Sequence, residues 1–149
     1  MAACWYIFRL LWYGFYQSCS RIADDHFYRQ HQFELPLNYD EEGGETVQVF
    51  AREVVAQDKK DSDLPWLVYL QGGPGFPSLR PGSNSGWLKR VLETYRVLLL
   101  DQRGTGSSTV ISHQTLASKS TDEQVAYLSH FRADNIVRDA EAIREKLEI

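Results

Sequence analysis

The chain has 149 residues, 43% of them hydrophobic and 24% charged, with a net charge of -4. That is the composition of one globular domain able to bury a core, and without a basic stripe no nucleic-acid partner is expected. Cys4 and Cys19 show no CxxC or Cys/His spacing, so no zinc site, other metal or cofactor is expected.

Residues 1–25 differ in composition from the rest of the chain and read as an aromatic N-terminal extension. Residues 4–16 include Trp5, Tyr6, Phe8, Trp12, Tyr13, Phe15 and Tyr16. The run falls short of the roughly 20 apolar residues a bilayer span needs, and Arg9 interrupts it. Three readings stay open: a packing or disordered extension, a signal peptide with Ser18-Cys19-Ser20 as its small-residue site, or an amphipathic surface helix. No membrane partner is expected. Cys4 and Cys19 suit either a disulfide or two free thiols in a reducing compartment, and the second goes with a cytoplasmic location.

From His26 the pattern becomes regular. Residues 27–37 alternate loosely and end at Pro36, which suits a strand. A turn cluster with Asp40 and Gly43-Gly44 comes next, and residues 46–55 read as a second strand with Val47, Val49 and Ala51 on one face. Together they predict an antiparallel hairpin. After a charged turn comes Leu64-Pro65-Trp66-Leu67-Val68-Tyr69-Leu70, a continuous apolar run of the kind buried on both faces of a parallel sheet. Residues 71–85, rich in Gly, Pro and Ser, form a loop with Ser85 as a helix cap. Trp87, Leu88, Val91, Leu92 and Tyr95 then fall on one helical face. A second buried strand, with core Val97-Leu98-Leu99-Leu100, completes a right-handed βαβ unit. Beyond a second loop, Ser120 and Glu123 have capping-box spacing. Helix is predicted from there to about Leu147, broken near His130-Phe131. Ile136, Ala140, Ile143 and Leu147 form its inward stripe, with Asp139, Glu141, Arg144 and Glu145 facing water.

Chemistry concentrates in two loops. Gln71-Gly72-Gly73-Pro74-Gly75-Phe76 directly follows a buried strand, at the carboxyl end where open α/β sheets place their sites. Glycine lets backbone approach a ligand, and a free backbone N–H there can meet a developing oxyanion. Gly72, Gly73, Pro74 and Gly75 are therefore read as an oxyanion loop. The second segment is Asp101-Gln102-Arg103-Gly104-Thr105-Gly106-Ser107. It lacks the G-x-G-x-x-G and Lys-Ser/Thr marks of a phosphate loop. Asp101, Arg103 and Gly104 are read as a structural loop near the site, with Asp101 and Arg103 expected to pair. A Gly-x-Ser-x-Gly nucleophile elbow is absent: Gly82-Ser83-Asn84-Ser85-Gly86 comes near but centres on Asn84. No catalytic residue is assigned. His26, His31, His113 and His130 read as surface or hydrogen-bonded histidines.

Three segments together carry a resemblance: residues 65–76, residues 97–106, and Phe131-Arg132-Ala133-Asp134-Asn135-Ile136-Val137-Arg138-Asp139-Ala140-Glu141. The chain resembles the proline iminopeptidases, serine peptidases of the α/β-hydrolase fold, over about residues 26–149. The hairpin segments Phe33-Glu34-Leu35-Pro36-Leu37 and Phe50-Ala51-Arg52-Glu53-Val54-Val55 agree with it. The resemblance implies an incomplete α/β-hydrolase fold, with an N-terminal hairpin, a βαβ unit and a following helix. It also implies release of N-terminal proline from peptide substrates through an acyl-enzyme, with the Gly73 N–H on the oxyanion. Many members carry His where this chain has Gln71. The family's serine elbow, triad Asp and His, and acidic cap would come after the helix near Leu147, so the chain is expected to be inactive alone. The strand that would pair with residues 67–70 would come later too, leaving an apolar edge and poor solubility. Two alternatives stand: a non-catalytic scaffold that keeps half a hydrolase sheet, or the front half of an esterase.

Overall fold

The computed structural model describes residues 16–23, 26–80 and 86–149, with side chains from His26 onward. The readings of residues 4–15, a Cys4–Cys19 pairing and Ser85 as a cap lie outside the described residues.

The strands are β1 (Tyr16–Ala23), β2 (His26–Pro36), β3 (Thr46–Ala56), β4 (Trp66–Leu70) and β5 (Arg96–Asp101). The helices are α1 (Gly86–Val91), α2 (His113–Leu116), α3 (Thr121–Ser129) and α4 (Ala133–Leu147). The strands form a 5-stranded sheet in the order β1-β2-β3-β5-β4. β2 and β3 pair as the expected hairpin, from Pro36 opposite Thr46 to His26 opposite Ala56. β3 runs antiparallel to β5, and β5 parallel to β4, as a strand–helix–strand crossover requires. The backbone of Tyr16–Ala23, which composition groups with the extension, pairs antiparallel with β2 as the outermost strand. Its Gln-Ser-Cys-Ser run gives no alternation by which a strand is recognised.

Strand alternation divides the core between two faces. On one, Leu98 and Leu100 of β5 pack with Val47, Val49 and Ala51 of β3 and with Phe131 and Ile143 from the helical side. On the other, Val97 and Leu99 pack with Val54 and with Leu88 and Leu92 around α1. Burying each such aliphatic side chain contributes about 1.5–3 kcal/mol. β5 is interior, between β3 and β4, and buried on both faces, as its unbroken apolar run predicts. β4 has the same kind of run but lies at the sheet edge, with Val68 37% and Leu70 42% exposed. Burial on both faces, read from the apolar run, fails for β4 because hydropathy reports a strand's apolarity and not its place in the sheet; the apolar edge at residues 67–70 that the resemblance implies is present.

Helix α1 is six residues long. Leu88 and Leu92 point inward, whereas Trp87 stacks on Tyr69 with ring centroids 5.0 Å apart and Tyr95 lies beyond the helix end. The single stripe of five residues is corrected accordingly. The capping box forms as expected, with Ser120 and Glu123 each bonding the other's backbone N–H. The break near His130-Phe131 separates α3 from α4. Ile136 and Ile143 are buried, and Ala140 and Leu147 pack against the core. Asp139, expected to face water, is instead buried, because it sits between Ile136 and Ile143 on the same helical face. Among the described residues no helix is long and apolar enough to cross a membrane.

Candidate active site

The loop after β4 stands at the carboxyl end of the parallel pair, where its glycines are exposed to solvent. Its path depends on residues without a Cβ. Gly73 has φ 130° and Gly75 φ 136°, and a Cβ on Gly73 would lie 3.2 Å from the Gly75 nitrogen. The Gly73–Pro74 peptide is cis. Among the described residues the backbone N–H of Gly73 donates to no protein acceptor. Phe76, 66% exposed, comes directly after.

Both legs of this loop are gripped from the end of β5. On the near leg, Gln102 Nε2 donates to the Gln71 carbonyl oxygen at 2.8 Å. The Tyr69 hydroxyl donates to Gln71 Oε1 at 3.1 Å. On the far leg, the buried Asp101 carboxylate accepts from the Ser78 N–H at 2.9 Å and from Arg80 Nη2 at 3.3 Å. The Ser78 hydroxyl donates to the Leu100 carbonyl at 2.6 Å. Asp101 also accepts from the Ser107 N–H at 3.0 Å, so it ties the two glycine loops together. A Cβ on Gly106 would sit 2.2 Å from Asp101 Oδ2, which explains a glycine there.

Asp101 and Arg103 do not pair with each other, contrary to the sequence-based expectation. β5 ends at Asp101, so strand alternation no longer governs Arg103, which turns to the α4 side. Its Nε and Nη2 donate to the two Asp139 carboxylate oxygens at 2.7 and 2.6 Å. Nη1 donates to the carbonyls of Leu37 and His130 at 2.9 and 2.8 Å, and Nη2 to that of Pro36 at 3.0 Å. All the donors of the buried guanidinium are thereby used. Tyr39 completes the cluster, its hydroxyl donating to Asp139 at 2.8 Å. Burial pushes the Asp139 carboxyl up while Arg103 and Tyr39 pull against it. Burial and the Asp139 charge push the Tyr39 hydroxyl up. Gly104, at φ 86°, has Ile111 and Phe131 each 3.2 Å from where a Cβ would lie. Arg103 and Gly104 thus lock the second loop to α4 and the hairpin, and Asp101 locks it to the first loop.

Among the four histidines, His31 is buried and bonded to Glu53 at 2.8 Å, and His26 is buried beside the Tyr28 hydroxyl. His113 is exposed and His130 partly buried. Reading by motif passed over Gln102, Ser78, Tyr39 and Asp139 as framework residues. Asp139 alone gave a signal, its spacing of three and four from Ile136 and Ile143.

A mixed sheet with a parallel βαβ unit, a glycine loop at its carboxyl end and a helix on each face defines the α/β hydrolase class. The alpha/beta hydrolase fold family matches residues 65–149, more than half of the chain, and the chain belongs to that family. Over 118 residues, 78% of its length, it is 55% identical to the proline iminopeptidase of Aeromonas sobria. Over 119 residues it is 47% identical to the proline iminopeptidase aneH of Aspergillus aculeatus. The chain spans 28% and 26% of the lengths of these two relatives.

Proposed function

We propose that these residues form the oxyanion-binding front portion of a serine hydrolase that releases N-terminal proline from peptides. The observation that carries the reading is the Gln71–Phe76 loop, fixed at the carboxyl end of β4 with the Gly73 N–H unengaged among the described residues. When a serine oxygen attacks the carbonyl of an N-terminal proline residue, the carbonyl oxygen becomes an oxyanion. The Gly73 N–H donates to it, and one such donor is worth about 2.7–4 kcal/mol in the transition state. The identity to two proline iminopeptidases supports proline as the residue released. These 149 residues contain no Gly-x-Ser-x-Gly elbow, so the loop works only with a nucleophile they do not include. The purified chain by itself is expected to show no turnover.

The test is a chimera in which this chain's matching segment replaces its counterpart in the Aeromonas sobria relative. Turnover of a proline arylamide in preference to an alanine arylamide or a simple ester is the expected result. A folded chimera that cleaves simple esters but no proline arylamide would overturn the peptidase reading in favour of an esterase.

A further inference from the structure

The bonds around Gln71 form a pattern the proposed reaction does not by itself require. Gln71 is the last residue before the glycines, and it is held by two side chains at two different atoms. Gln102 Nε2 fixes its carbonyl and the Tyr69 hydroxyl fixes its side-chain amide oxygen. Tyr69 is in turn stacked on Trp87, so its hydroxyl is not free to swing. Gln102 is nearly fully buried, and its Oε1 has no partner among the described residues. A buried amide with one unsatisfied acceptor is destabilising relative to a well-packed apolar side chain. Filling space therefore does not account for Gln102, whereas its Nε2 bond to the loop does. The consequence is geometric. The peptide plane between Gln71 and Gly72 is set by its carbonyl, because the peptide unit is rigid. From that plane only the two backbone torsions of Gly72, a residue without steric preference, decide where the Gly73 N–H points.

We propose that Gln102 and Tyr69 are positioning residues that hold Gln71 at its carbonyl and its side chain and so aim the Gly73 N–H. This rests on the reading of Gln71–Gly75 as the oxyanion loop. It extends the role of the second loop: Asp101 and Gln102, adjacent in sequence, hold the far and near legs of the first loop respectively. Both grips on Gln71 use uncharged groups, Gln102 and the Tyr69 phenol.

The experiment is 15N relaxation on the purified 149-residue chain, with Gln102→Leu and Tyr69→Phe variants, alongside thermal melts. In the unaltered chain Gly72 and Gly73 are expected near the rigid backbone order parameter of about 0.85. In Gln102→Leu they should fall below about 0.6, while β5 stays ordered and the melting temperature does not fall. Tyr69→Phe should produce a smaller drop at the same two glycines, and it decides the matter if Gln102→Leu does not fold. Order parameters at Gly72 and Gly73 indifferent to the substitutions, or loosening spread equally over β4 and β5, would overturn the proposal. The measurement needs no turnover. A clamp that responds as expected beside an inactive chimera would sink the functional reading and leave the positioning role intact.

Discussion

Arg103 is where a single side chain does most to join the parts of the molecule. Its guanidinium bridges the second loop, the hairpin turn and α4, and its carboxylate partner is buried with it. Removing one partner of such a pair leaves an uncompensated charge in the interior. Arg103→Ala is expected to cost about 3–5 kcal/mol in denaturant unfolding. Replacing both residues, Arg103→Leu with Asp139→Leu, should cost less than the single change, because no charge is then left behind. A double variant as unstable as Arg103→Ala would mean that the carbonyl bonds, not the ion pair, carry the effect. At this scale the sequence was half legible. The glycines of both loops announced themselves, because a positive φ or a close approach leaves few other residues usable. The pairing of Arg103 did not, because a charged residue on an amphipathic helix is read as solvated unless its position in the apolar stripe is weighed against its charge.

The elements were legible in proportion to how local their causes are. The hairpin, the glycine loop between two apolar strands and the Ser120 capping box each arise from a few neighbouring residues, and each formed as expected. The position of β4 at the edge and the strand at Tyr16–Ala23 depend on partners distant in sequence: the family resemblance implied the first, which the apolar run alone did not give, and the second was passed over. The edge has a physical consequence. Among the described residues β4 presents an unpaired row of backbone groups beside the exposed Val68 and Leu70, a template for association with other chains. A lysine on an edge strand opposes such pairing. Leu70→Lys is expected to shift the purified chain toward monomer in concentration-dependent sedimentation. Self-association unchanged by that substitution would place the contact elsewhere.

At the scale of the whole molecule, the sheet carries a buried charge cluster around Glu53, which lies opposite Leu98 in the middle of β5. Glu53 is fully buried and bonded to His31 and Arg96, with Arg29 at 3.6 Å. Burial alone would raise its carboxyl, but the His31 bond, the Arg29 and His31 charges and the Arg96 bond outweigh it and hold the group below its ordinary 4.5. A carboxyl with a depressed folded pKa stabilises the fold above its unfolded value, and that contribution is lost as pH falls through the folded value. Unfolding free energy should therefore be steady above about pH 5 and decline on acidification below about 4.5. Glu53→Gln should start lower and decline less steeply, as tracked by denaturant midpoints across that range. Parallel slopes for the two proteins would assign the acid sensitivity to other carboxylates.

The same sheet, with ion pairs at its middle and polar clamps at the loop end, holds the Gln71–Phe76 loop. In the chimera with the Aeromonas sobria relative, the most direct measurement is kcat for a proline arylamide before and after Gly73→Ala. At φ 130° an alanine is strained and the N–H must turn away. The expected result is a loss of about 10²–10³-fold in kcat with KM and melting temperature little changed. A folded Gly73→Ala chimera that keeps its kcat would contradict the assignment of this loop to the oxyanion.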